Sequence, residues 1–144
     1  MINDFFTPLY ENFFDNNMYK EFLDAVFYGG DYGKLGVFMM IASFISLLLF
    51  YKFWDPVSSA PRTKWLVVLF INALIAAFFT AIILYNNVGV IQLIGGFTNN
   101  GILVNPVYFI VQMCLITFLY SLIIAGVFSI GLKNISVSNK KNPF

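Results

Sequence analysis

The stretch from Val107 to Leu132, VYFIVQMCLITFLYSLIIAGVFSIGL, contains 26 residues and no charged side chain. An α-helix of that length covers about 39 Å at 1.5 Å per residue, more than the bilayer hydrocarbon core of about 30 Å. Leu35 to Trp54 and Trp65 to Tyr85 are similar runs, and their only charged residue, Lys52, lies near the end of the first. Three transmembrane helices are therefore predicted, at 35–54, 65–85 and 107–132.

The composition also indicates that the bilayer is the solvent. Of the 144 residues, 60% are hydrophobic and 10% are charged, whereas a soluble domain has about 25% charged residues. The net charge of +1 supplies no basic surface for nucleic acid. Histidine is absent and Cys114 is the single cysteine, so the usual ligands of zinc and haem are missing. We predict an all-α integral membrane protein with no nucleic-acid partner, no metal and no cofactor.

The basic residues predict the orientation. Six of the eight lysines and arginines flank one set of span ends: Lys52, Arg62, Lys64, Lys133, Lys140 and Lys141. The positive-inside tendency places the connection 55–64 and the tail 133–144 in the cytoplasm. We therefore expect an N-out, C-in multi-pass protein, and we expect its membrane to be the bacterial inner (cytoplasmic) membrane.

Residues 1–34 form an N-terminal segment whose apolar residues recur at spacings of three and four, with acidic residues between them. This pattern predicts amphipathic helix, broken near Asp15 and lying along the outer interface. Its function is left open between anchoring in the lipid bilayer and docking of another protein. The aromatic and aliphatic residues predicted to contact a partner are Phe5, Phe6, Leu9, Phe13, Phe14, Phe22 and Phe27.

The connection 86–106 joins the second and third spans and has no charged residue. Its composition predicts a short apolar helix that ends at Gly95-Gly96, followed by an Asn-rich turn at 99–101. Two placements are possible, a cap covered by protein or interface and a segment that re-enters the membrane. In either case Ile91, Ile94 and Phe97 are expected to contact a covering surface.

Small and polar residues recur every four positions within the spans. Because residues i and i+4 share a helix face, and small residues let helix backbones approach closely in lipid, these rows predict helix-packing seams. The residues assigned to the seams are Asn72, Ala73, Ala76, Ala77, Thr80, Ala81, Gln112, Thr117, Ser121, Ala125 and Ser129.

The predicted span interiors contain no Asp, Glu, Lys, Arg or His, which argues against a proton relay, a voltage sensor, a carboxylate-bearing transporter or an intramembrane enzyme. The first hypothesis is a non-catalytic subunit that scaffolds or anchors a larger complex of membrane proteins. The alternative is a small homo-oligomeric channel or transporter for a neutral or weakly selected solute, lined by Asn72, Thr80, Gln112, Thr117 and Ser121. An enzyme acting on lipid is the least supported class, because no residue set recommends it.

Overall fold

The computed structural model describes residues 1–54, 61–93, 97–99 and 102–132. Within them the chain is helical except for short turns and one short pair of strands. The elements are α1 (Ile2–Glu11), α2 (Asn16–Tyr28), α3 (Asp31–Leu49), α4 (Pro61–Asn86), α5 (Val88–Gln92), β1 (Phe97–Asn99), β2 (Ile102–Val104) and α6 (Pro106–Leu132). A π-helical turn, Phe50–Trp54, extends α3.

Three helical stretches are long and apolar enough to cross a membrane, which confirms the three predicted spans. They are Asp31–Phe53, Thr63–Asn86 and Pro106–Leu132. The first begins at Asp31, before the predicted start at Leu35, because α2 passes directly into α3. Gly30 makes this turn with a φ of 68°, a left-handed conformation that glycine adopts without steric cost. Asp31 and Lys34 therefore belong to the first turn of a spanning helix.

The three long helices form a bundle in which α4 and α6 have the most extensive contact and α3 packs against both. Their shared faces carry small side chains, and Ser43, Ala73, Ala76 and Ala125 are buried completely or almost so. Small residues on facing helices allow the close backbone approach that van der Waals packing in lipid requires. The helices therefore approach closely at the small residues, while larger side chains such as Leu47, Leu69 and Met113 fill the rest of the interior.

The N-terminal segment folds back onto one end of this bundle. We call it the capped end, where α3 begins, α4 ends and α6 begins. α1 packs on α3, while α2 contacts both α3 and α5. The break between α1 and α2 lies close to the predicted one, and the Asp15 carboxylate accepts a hydrogen bond from the Asn17 amide at 2.9 Å. This is the N-cap contact that favours a new helix start.

A glycine determines how closely α1 approaches α3. A Cβ atom added to Gly36 would lie 2.3 Å from the ring of Phe6, far inside van der Waals contact. The ring, which is only 5% exposed, therefore occupies the space that any other residue at position 36 would fill.

The connection 86–106 differs from its prediction in two respects. The helix α5 ends at Gln92 rather than near Gly95, and β1 pairs antiparallel with β2, Phe97 opposite Val104 and Asn99 opposite Ile102. No strand was predicted here. The physical reason is that residues suited to strands flank Asn-Gly at 100–101, a pair that favours two-residue hairpin turns. Residues 94–96, 100 and 101 lie outside the described part of the chain.

Candidate functional site: the polar seam and the capped end

Asn72 joins all three spanning helices at one point. Its Nδ2 atom donates to Ser43 Oγ of α3 and to Ser121 Oγ of α6, each at 2.9 Å. Its Oδ1 atom accepts from Ser46 Oγ of α3 at 3.2 Å. Because Asn72 is 2% exposed, these hydrogen bonds replace the water that the amide group would otherwise bind. The contacts fit a structural role, with both amide atoms engaged inside one chain.

A second polar contact lies nearer the capped end. Thr80 Oγ1 on α4 donates to Thr117 Oγ1 on α6 at 3.0 Å, and the Thr117 hydroxyl lies 3.3 Å from that of Tyr10 on α1. Tyr10 is fully buried and stacks on Tyr32 with 5.6 Å between ring centroids. Burial raises the pKa of the Tyr10 hydroxyl to about 12, so this group stays protonated near neutral pH. It therefore ties α1 to the bundle as a neutral hydrogen-bonding group.

A third polar contact lies at the opposite end of the bundle. Trp65 Nε1 on α4 donates to Ser129 Oγ on α6 at 2.7 Å, and the hydroxyl of Tyr51 also hydrogen-bonds to Ser129. Tyr51 belongs to the π-helical turn, whose width lets the consecutive residues Phe50 and Tyr51 both face the core. The three polar contacts together follow the shared interior of the bundle from one end to the other.

Nearly all the residues assigned to the packing seams lie in this interior. Eight of them are buried: Asn72, Ala73, Ala76, Thr80, Thr117, Ser121, Ala125 and Ser129. Two more, Ala77 and Ala81, are partly buried. Gln112 was expected to bond between spans, but its Nε2 atom instead donates to the backbone carbonyl of Phe13 at 2.8 Å. Gln112 differs because it faces the turn between α1 and α2, where backbone carbonyl groups are not used by a helix and accept from side chains.

The aromatic N-terminal residues divide between core and surface. Phe6, Phe14 and Phe22 were expected to contact a partner, and the structure buries them inside the chain at 5%, 8% and 0% exposure. Phe14 and Phe22 each pack on Phe109 of α6, with 5.1 Å between ring centroids. These three residues therefore pack inside the chain and not on a partner. The apolar face of an amphipathic helix can be buried on any apolar surface, and here the chain's own bundle supplies it.

The remaining predicted contact residues keep more exposure. Phe5 is 72% exposed and Phe13 is 55% exposed, while Leu9 and Phe27 are partly buried against the core. Ile91 is exposed. Ile94 lies outside the described residues, as does the side chain of Phe97.

The helix α5 is covered by the chain itself. Val90 is fully buried in the same core cluster as residues of α2, and a Cβ atom on Gly89 would lie 2.9 Å from that of Ala25. Asn87 begins α5, since its Oδ1 atom accepts from the Val90 amide at 3.1 Å. This part of the connection therefore caps the bundle with α2 as its cover.

A polar cluster that the sequence analysis did not select holds the capped end together. The Asp31 side chain is 4% exposed, and its Oδ1 atom lies 2.5 Å from Lys34 Nζ. Its Oδ2 atom accepts from the side-chain Nδ2 of Asn87, which also donates to the backbone oxygen of Ala25 at 3.2 Å. The i,i+3 spacing of an acidic and a basic residue was the available signal. It was missed because both residues lay outside the predicted span.

Among the described residues no group of three metal-binding side chains forms a cluster. Comparison with protein-family models, with curated proteins and with solved structures finds no match. The fold and the span lengths define the class: a helical membrane protein with three spans and a folded N-terminal cap.

Proposed function

We propose that this protein is a non-catalytic subunit that anchors or scaffolds a larger membrane complex. The observation that carries the proposal is that α1 has two apolar faces, one packed on the bundle and one exposed. One face of α1 packs on the chain's own bundle through Phe6 and Tyr10, while Ile2 and Phe5 on the other face are 61% and 72% exposed. An apolar face that the chain's own packing leaves exposed marks a contact with another protein or with the membrane, and we assign this one to a protein.

A groove beside α1 extends this apolar surface. Phe13 packs edge-on against Tyr120 of α6, with 6.1 Å between ring centroids, and borders a cavity of about 370 Å³. Leu115, Leu119 and Ile123 of α6 line the same cavity. The exposed face of α1 and this groove supply neighbouring apolar surfaces for a partner helix, which is an established mode of recognition.

The proposal includes an orientation. With the connection 55–64 and the C-terminal tail in the cytoplasm, the capped end faces outward, and α1 runs from it along the bundle, so that Tyr10 reaches Thr117 of α6. The uneven distribution of lysine and arginine supports this placement. We propose the bacterial inner membrane as its location on the same basis. Alkaline phosphatase fused after Phe144 is expected to be inactive, and an active fusion would contradict the orientation.

The test of the subunit proposal is co-purification in mild detergent from cells that express the tagged full chain at its native level. Phe5→Ala and Phe13→Ala are expected to lose stoichiometric membrane partners while the variants stay folded. Leu119→Ala changes an exposed residue of the groove on α6, at 59% exposure. Comparing it with Phe5→Ala shows whether partner binding depends on α6, on α1 or on both. Recovery of the wild-type chain from these cells without any stoichiometric membrane partner would overturn the proposal.

The second candidate function is the channel or transporter. Its motivation is the polar seam, but Asn72, Thr80, Thr117 and Ser121 are each at most 2% exposed and hydrogen-bond to one another or to serines of the same chain. A solute would have to break these bonds. Solute flux in liposomes that disappears with Asn72→Leu would favour the channel, whereas inert liposomes would exclude it.

A further inference from the structure

A cavity of about 570 Å³ opens at the capped end, between the end of α2, the first turn of α3 and the α4–α5 junction. This volume falls in the range of about 300 to 1,000 Å³ that small-molecule sites occupy. The cavity wall has polar and apolar parts. The polar residues used below are Asp31, Lys34, Asn86 and Asn87, and the apolar ones are Ile83 and Val88.

The polar side presents one cation held in place by its neighbours. Lys34 Nζ donates to Asp31 Oδ1 at 2.5 Å and to the backbone oxygen of Gly29 at 3.0 Å. An ammonium group has three N–H donors, so one donor is left for a ligand. The Lys34 side chain is 60% exposed, whereas that of Asp31 is 4% exposed. A ligand therefore meets the ammonium group first, with the carboxylate behind it.

The depth of this cavity in the bilayer follows from the span ends. The first span begins at Asp31 and the second ends at Asn86, and both residues line the cavity. The cavity thus lies where the hydrocarbon core meets the headgroup layer. Lipid headgroups are the most concentrated polar molecules at that level.

The charges of the site favour one kind of headgroup. The lining contains one acidic and one basic residue, Asp31 and Lys34, which cancel each other, and the N-terminal segment 1–34 as a whole contains six acidic residues and two basic ones. A headgroup with a net negative charge is repelled by this segment. A headgroup with both charges is not, because its own charges cancel: the phosphate pairs with Lys34 and the ammonium group meets the uncharged Asn86 side chain.

We propose that this cavity binds the headgroup of a zwitterionic phospholipid of the phosphoethanolamine type. A phosphate oxygen accepts a hydrogen bond from Lys34 Nζ, and the primary ammonium group donates to the side-chain oxygen of Asn86. The upper part of an acyl chain lies along Ile83 and Val88. The lipid then closes the side of the capped end where α2 and α5 leave an opening.

The test uses the purified full chain in mild detergent and native mass spectrometry with lipids of identical acyl chains. Phosphatidylethanolamine is expected to be retained about fivefold more than phosphatidylglycerol, as expected for one partly exposed charge contact. Lys34→Met alone leaves the buried Asp31 carboxylate without its cation, so the informative variant is the double substitution Asp31→Asn with Lys34→Met. It keeps a side-chain oxygen at position 31 to accept from Asn87 and is expected to lower the retention of both lipids, because both carry the phosphate that pairs with Lys34. Asn86→Leu removes the oxygen that accepts from the ammonium group and is expected to abolish the preference.

Lys20→Met is the matched control, because Lys20 is exposed on α2 and does not line the cavity. It is expected to keep the preference of the wild-type chain. Unchanged retention of both lipids in the double variant, an unchanged preference in Asn86→Leu, or a wild-type preference for phosphatidylglycerol would overturn the proposal. Soluble glycerophosphoethanolamine is expected to compete poorly. If soluble glycerophosphoethanolamine competes as well as the lipid, the site binds a water-soluble ligand, which contradicts the proposal. No protein partner takes part in these measurements, so their outcome is separate from that of the subunit proposal.

Discussion

Replacing Asn72 by leucine removes the amide that joins α3, α4 and α6 while keeping the side chain close in size. The wild-type side chain makes three interhelical hydrogen bonds. At about 0.6 kcal/mol for each such bond within a membrane, their loss amounts to about 2 kcal/mol in the free energy of unfolding. Ser43 and Ser121, each 0% exposed, would keep hydroxyl groups without this amide partner.

The measurement is reversible unfolding of the full chain in bicelles by steric trapping, which reads the free energy directly. Gln112→Leu is the control, since it also converts an amide to leucine but removes one hydrogen bond, which lies at an exposed site. It is expected to cost less than half as much. A double-mutant cycle with Ser121→Ala should give a coupling energy near 0.6 kcal/mol. A loss below about 0.5 kcal/mol for Asn72→Leu would refute the role of this residue as a junction.

Gly36→Ala is expected to displace Phe6 and destabilise the chain by about 1–3 kcal/mol through overpacking. Gly126→Ala, which has no atom within 4 Å of the added Cβ, should be neutral or stabilising. Equal effects of the two substitutions on the free energy of unfolding would contradict the close approach of Phe6 to Gly36. Burial raises the pKa of the Glu11 carboxyl above its ordinary 4.5, so the folded chain binds this proton more tightly and stability should fall as pH rises above about 4.5. Glu11→Gln should make the free energy of unfolding depend less on pH in this range. An unchanged pH dependence would contradict the assignment to Glu11. Asn87→Leu should increase hydrogen exchange in α2 and α5 together, because one side chain serves both helices; protection lost in α5 alone would show that the two are independent.

The sequence was sufficient to predict the spans and most of their contact faces. Residues such as Ala73 and Ser121 are small, lie on rows of period four and belong to helices with hardly any charge, so lipid leaves few alternatives for packing. The strand pair was missed because β1 and β2 have three residues each. Segments this short carry little periodic signal, and only the Asn-Gly at 100–101 pointed to a hairpin.

The destination of the N-terminal aromatic residues could not be predicted in the same way. Periodicity shows that Phe6 and Phe14 share an apolar face with Tyr10, but it does not identify the surface that the face covers. That surface includes Gly36 and Phe109, which are far away in the sequence. Asp31 was missed for a related reason. A carboxylate next to a span is ordinarily solvated, and its burial depends on Asn87, 56 positions later.

The contact between Tyr10 and Thr117 joins residues 107 positions apart, and it therefore has consequences for the order of assembly during synthesis. At about 5–20 residues per second, the ribosome completes the partner of α1 roughly 5 to 20 s after α1 itself. During that interval Phe6, Tyr10 and Phe14 have no finished docking surface, although α3 is already available to Phe6. The first helices to be made are thus the last to be fully seated, and a chain interrupted before α6 would leave their aromatic face open to other proteins.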